Sequence, residues 1–113
     1  MIKIYHNPRC RKSREGLAII EKSNKEFEIV RYLDDIPSVE TLTEIIKLLG
    51  ITPIQLVRKT ESIWKENYKR KELSDSEIIE AMIANPKLIE RPIVISNNKA
   101  VIGRPPENII RII

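Results

Sequence analysis

Residues Ile2-Lys3-Ile4-Tyr5 alternate apolar and polar character as a β-strand does. A break at Asn7-Pro8 follows. Beyond it Ser13, Gly16, Leu17 and Ile20 recur at helical spacing and give a small, closely packable face. Phe27 to Tyr32 is β-rich and predicts a second strand. The chain therefore opens as strand, helix, strand. In the middle, Leu42, Ile45, Ile46 and Leu49 form an apolar stripe, with Gly50 suited to the position just past a helix end. Thr52-Pro53-Ile54-Gln55 reads as a new helix start, with Thr as N-cap, Pro at the first helical position and Gln reaching back. Ser74-Asp75-Ser76-Glu77 is a second capping box, opening a helix with Ile78, Ile79, Met82 and Ile83 inward. Asn85-Pro86 should end it.

The last third changes character. Pro92 to Ser96 predicts a strand, Asn97-Asn98 a two-residue turn because Asn tolerates positive φ, and Lys99 to Gly103 the return strand. Pro105-Pro106-Glu107 starts a short final helix. A βαβ half with a right-handed crossover, a helical block, and a ββα half make a four-stranded mixed sheet. The expectation is an α/β, thioredoxin-like fold, one domain over residues 1–113 with a helical insert at about 38–85.

Composition narrows the function classes. The chain has 113 residues, 42% hydrophobic and 32% charged, an ordinary globular balance. Its net charge is +4, but bases and acids are interleaved. Even the dense stretch Lys65 to Lys71 contains Glu66 and reads as a solvated face rather than a nucleic-acid patch. No run is long and apolar enough to span a bilayer, and no secretory leader is apparent, so a cytoplasmic protein is expected. A single cysteine excludes an intramolecular disulfide and paired-cysteine zinc sites, and the one histidine adds little. No metal is expected.

The informative segment is Tyr5-His6-Asn7-Pro8-Arg9-Cys10-Arg11-Lys12-Ser13-Arg14. It links the first strand to the first helix and puts Cys10 at or just before the helix N-terminus. Unpaired N–H groups and the helix dipole there favour negative charge. Arg9, Arg11, Lys12 and Arg14 add positive charge. These effects stabilise thiolate over thiol, and the thiolate is the nucleophile. The same turn is suited to an oxyanion. His6 can be a core imidazole, a donor to the loop, or a support for the thiolate. Ser13 stands where C-x-x-C redox motifs hold their second cysteine. It can donate a hydrogen bond to sulfur but cannot resolve a disulfide.

The segment His-Asn-Pro-x-Cys-x-x-Ser-Arg resembles the active-site loop of the glutaredoxin-coupled arsenate reductases. The similarity extends through Tyr32-Leu33, Leu56-Val57-Arg58-Lys59, Arg91-Pro92-Ile93-Val94 and Gly103-Arg104-Pro105. The resemblance implies a thioredoxin-like domain in which Cys10 is the nucleophile and Arg58, Arg91 and Arg104 bind the oxyanion and its cysteine adduct. Arg14 is the loop arginine. It also implies a cis Arg91-Pro92 bond. No bound cofactor is implied. Glutathione is a co-substrate, because the chain lacks a second cysteine, and glutaredoxin is the partner of what is taken to be a monomer. Arsenate is the implied substrate. At Arg11-Lys12 the sequence departs from the smaller Gly-Thr pair of well-studied members, a change that touches substrate rather than fold. Two other readings share the fold: a glutathione-dependent reductase of another substrate, and an Spx-type regulator binding RNA polymerase. Many such regulators use a C-x-x-C switch, which Ser13 precludes.

Overall fold

A computed structural model describes residues 1–113. The strands are β1 (Ile2–Tyr5), β2 (Phe27–Val30), β3 (Ile93–Ser96) and β4 (Lys99–Ile102). The helices are α1 (Arg11–Lys22), α2 (Val39–Leu49), α3 (Pro53–Leu56), α4 (Ser62–Asn67) and α5 (Asp75–Ala84). Short 3-10 helices cover Pro86–Leu88 and Pro106–Arg111. The chain divides into two compact units: residues 1–35 with 91–113, and residues 36–90.

The first unit is built on one four-stranded sheet of order β2-β1-β3-β4. β1 runs parallel to β2, with Ile4 opposite Ile29, and antiparallel to β3, with Ile4 opposite Val94. β4 returns antiparallel to β3 through Asn97 and Asn98, whose φ values are 49° and 63°. Their short polar side chains tolerate that left-handed backbone, so the hairpin closes in two residues. The mixed sheet is the one expected from the sequence. Ile2, Ile4, Ile20, Val94 and Ile109 form a buried cluster, with Leu17, Phe27 and Val101 packed around it. Thus α1 and the C-terminal 3-10 helix supply apolar cover to the sheet.

That last segment was expected as a short helix and is 3-10 in form. Asn108 N–H donates to Pro105 O at 3.0 Å and Ile112 N–H to Ile109 O at 3.1 Å. Successive prolines at 105 and 106 remove donors from the first turn and leave only a tight i to i+3 pattern at its ends. Both Arg91-Pro92 and Arg104-Pro105 are cis. The first matches the implied geometry; the second was not foreseen.

The second unit is helical, and local caps set its boundaries. Ser38 Oγ accepts the N–H of Thr41 at the start of α2, and Gly50 ends that helix at φ 68°. Gln55 Oε1 accepts the Thr52 N–H at 2.8 Å, and Glu77 Oε1 accepts the Ser74 N–H at 3.0 Å. Ser74 Oγ in turn accepts the Glu77 N–H at 3.2 Å, completing the reciprocal box before α5. The Ser74 N–H, and after it the Ser74 side chain, hold the Glu77 carboxyl below its ordinary range. Buried Leu42, Ile45, Ile46, Leu56, Ile78, Ile79 and Met82 provide this unit's apolar interior. An isolated antiparallel bridge joins Val57 to Ile89.

Candidate functional site

Cys10 is the N-cap of α1, in extended backbone at φ −94° and ψ 122°. No side-chain oxygen caps this helix. The first-turn N–H groups, which no α-helix satisfies internally, are thus without a side-chain acceptor, and the cysteine occupies the position where a Ser or Asp would answer them. The chain reaches this position through a tightly bonded loop. Cys10 N–H donates to Asn7 O at 3.0 Å, and Arg14 N–H donates to Cys10 O at 3.0 Å. Arg9 N–H donates to Asn7 Oδ1 at 3.0 Å. Asn7 therefore shapes the loop with both its backbone and its side chain. Sequence reasoning treated Asn7-Pro8 only as a break, although Asn-Pro is a turn-initiating pair.

His6 and Ser13 lie beneath the loop, both buried. His6 Nδ1 is 2.6 Å from Ser13 Oγ, which also accepts the Asn7 N–H at 3.0 Å. The Ser13 hydroxyl thus serves His6 and Asn7 rather than the sulfur that was its expected partner, and it supports Cys10 by fixing the loop. Burial, then the positive charges of Arg31 and Arg14, push the His6 imidazole below its ordinary value and favour its neutral form. Arg14 is exposed and donates through Nη1 to Pro8 O at 2.9 Å. The neighbouring cations are partly offset: Glu15 lies 3.1 Å from Arg11 and 3.8 Å from Lys12. Both pairs are exposed, so their contribution is small.

Arg91 and Arg104 are brought together in the same unit, where Arg104 Nη1 donates to Arg91 O at 3.3 Å. Arg91 is half-buried, with Nε and Nη1 shielded from solvent, and Arg104 is exposed. Two glycines set the approach of these segments. A Cβ at Gly16 would lie 3.0 Å from Pro92 Cγ and 2.9 Å from Ile109 Cδ1. One at Gly103 would meet the same two atoms at the same distances. Gly16 lets α1 close onto Pro92, and Gly103 lets the end of β4 do so from its own side. Gly103 N–H also donates to Pro92 O at 2.8 Å.

Arg58 belongs to the 36–90 unit. Its N–H donates to Leu88 O at 2.7 Å, and Glu90 N–H donates to Leu56 O at 2.9 Å, extending the bridge at Val57 and Ile89. The guanidinium meets two carboxylates, with Nη1 3.4 Å from Glu61 and Nε 3.8 Å from Glu90. The resemblance implies an oxyanion ligand at this position; the structure shows its guanidinium in a local ion-pair cluster. No group of three or more His, Cys, Asp or Glu side chains is placed to hold a metal, and no helix is long and apolar enough to cross a membrane.

The four-stranded mixed sheet agrees with what comparison with other proteins finds. A family model described as the ArsC family matches residues 5–112. The chain belongs to the ArsC family. Within the family, it is 44% identical to an arsenate reductase from Haemophilus influenzae, over 97% of each chain. It is 46% identical to Uncharacterized protein YfgD from Escherichia coli, over 99% of this chain and 96% of that one. A solved structure of the arsenate reductase from Vibrio cholerae superposes with a TM-score of 0.94 at 43% identity, covering 99% of this chain and 97% of the other. The four-stranded mixed sheet is therefore that of an ArsC protein of thioredoxin-like fold.

Proposed function

We propose that this ArsC-family chain is an arsenate reductase that works through a covalent adduct on Cys10. The observation that carries the reading is the placement of Cys10 as N-cap of α1, in a loop braced by His6, Asn7 and Ser13. Similarity over nearly the full length to proteins named arsenate reductase supports the choice of substrate.

In the proposed cycle the Cys10 thiolate attacks arsenic of arsenate. An S–As bond forms, an As–O bond breaks, and the oxygen leaves as water. Arg14, Arg91 and Arg104, with Arg58 carried over from the family pattern, neutralise the oxyanion and its developing charge. Glutathione then forms a second S–As bond as another water departs. Glutaredoxin thiolate takes the glutathione sulfur as a mixed disulfide, and the electron pair of the broken S–As bond stays on arsenic as As(III). Hydrolysis of the remaining S–As bond returns Cys10 and releases arsenite. Two external thiols are thereby oxidised for one arsenic reduced. The chain's single cysteine makes such a supply necessary. The cytoplasm, where thiols are kept reduced, is the fitting compartment.

The test is arsenate-dependent oxidation of NADPH with glutathione, glutaredoxin and glutathione reductase supplied. Turnover that disappears in Cys10→Ser is the expected result. Absence of turnover with every thiol system, together with capture of an RNA polymerase subunit, would reject the reading.

A further inference from the structure

Apart from the Cys10 loop, the 36–90 unit holds a cavity of about 580 Å³. That is within the range of roughly 300–1,000 Å³ typical of small-molecule sites. Trp64 and Ile78, each 6% exposed, contribute to its apolar lining with Ile54 and Leu73. The Trp64 ring is fixed by stacking on Tyr68, with centroids 5.6 Å apart.

The charged part of the lining has one predominant sign. Lys59, Lys69 and Lys71 contribute to it, against the single carboxylate of Asp75. The turn after α4 folds two of these lysines back. Lys69 N–H donates to Trp64 O at 2.9 Å, and Lys71 N–H donates to Tyr68 O at 3.0 Å. Asp75 begins α5, where a carboxylate is favoured by the helix dipole whatever the cavity does. None of the three lysines lies within ion-pair distance of a carboxylate, although Lys12 and Lys47 each do. All three lysines are exposed, and with one carboxylate among them they leave the lining of the concavity with a net positive charge.

We propose that this cavity binds a small organic dianion with an apolar or aromatic body. The lysines would take the anionic groups, and the body would rest on Trp64, Leu73 and Ile78. A bare inorganic oxyanion would leave the apolar lining and most of the volume unfilled. A nucleic acid needs an extended basic track, whereas Glu66 and Glu72 interrupt this stretch. The proposal is independent of the reaction at Cys10.

Trp64 is the chain's only tryptophan and reports directly on the cavity. The experiment titrates the full chain with phenylphosphonate, following Trp64 emission and the heat of binding, with inorganic phosphate and benzyl alcohol as charge-only and apolar-only controls. Phenylphosphonate should give a saturable change, with both controls weaker by about tenfold or more. The double variant Lys69→Ala/Lys71→Ala should weaken binding about tenfold, as expected for lost charge-assisted contacts. Lys69→Arg/Lys71→Arg should retain it, and arsenate turnover should be unchanged in both. Equal affinity for phosphate and phenylphosphonate would reduce the site to surface charge and overturn the proposal. So would no saturation, or binding indifferent to the lysine pair. A glutamate-rich peptide that binds more tightly than phenylphosphonate, and loses binding in the same variant, would assign the cavity to a protein partner instead.

Discussion

His6 Nδ1 and Ser13 Oγ lie 2.6 Å apart beneath the loop that carries Cys10, and both side chains are withdrawn from solvent. The Asn7 N–H, donated to the same hydroxyl, ties the pair to the loop backbone. The cysteine is thus held in place by an imidazole and a hydroxyl that need not touch its sulfur.

The pair carries a pH dependence of stability. Burial, reinforced by Arg31 and Arg14, lowers the His6 value in the folded chain below its ordinary 6.5. As pH falls below 6.5, the unfolded imidazole takes up a proton that the folded one resists, so protonation favours unfolding. The contribution of His6 is full above 6.5 and is lost as pH falls towards and through the depressed folded value. Urea midpoints measured from pH 8 to pH 5 should fall with pH, and less steeply in His6→Asn. An unchanged slope in that variant would place the titrating group elsewhere.

Ser13→Ala removes the acceptor for Asn7 N–H and the partner of His6 together. Leaving such groups unanswered in a buried site costs about 1–3 kcal/mol, and a drop in stability of that order is expected from denaturant titration. Some arsenate turnover should survive, because the hydroxyl is not the resolving group. Complete loss of turnover with the fold intact would give Ser13 a direct part in the chemistry.

Gly103→Ala tests the close approach at Pro92. The new methyl would stand 2.9 Å from Ile109 Cδ1 and 3.0 Å from Pro92 Cγ, closer than carbon atoms pack. Overpacking of this kind costs about 1–3 kcal/mol. Ile109→Val deletes one of the two opposing atoms, so the double variant should be less destabilised than the sum of the single changes. Thermal melts of the four proteins decide; strict additivity would mean that the methyl finds room elsewhere.

Arg91→Ala and Arg104→Ala should each lose turnover by about 10²–10³-fold, as removal of one donor to a developing oxyanion does. Melting temperatures should change little for exposed Arg104. Lysine should not restore it, because an ammonium cannot reproduce the planar two-pronged contact of a guanidinium. Full activity in both alanine variants would remove the pair from the oxyanion site.

The reductant is tested by exchange. Turnover should depend on glutathione and glutaredoxin, and thioredoxin alone should support little, since Ser13 is too weak a nucleophile at neutral pH to release the adduct. Mass spectrometry of a stalled reaction should find glutathione or arsenic on Cys10. Robust turnover with thioredoxin and no glutathione would show that the cycle closes by another route.

The sequence by itself determined what short-range physics sets. Alternation in Ile2-Lys3-Ile4-Tyr5 specified β1, Asn97-Asn98 specified the turn before β4, and Gly50, Thr52 and Ser74 marked helix ends, because caps and turns are satisfied within a few residues. The position of Cys10 at the head of α1 was legible for the same reason. Tertiary structure decided what depends on distant partners. Ser13 was readable as polar, but its bond to His6 needed the loop to close over both. Arg58 was readable as a cation, but only the pairing of Val57 with Ile89 brings Glu90 beside it. Gly16 and Gly103 are far apart in sequence, and nothing local announces that both must yield space to Pro92 and Ile109. The cavity lined by Trp64 and three lysines likewise forms only when α3, α4 and α5 have packed, since charge spacing along a chain does not specify which ammonium groups will share one concavity.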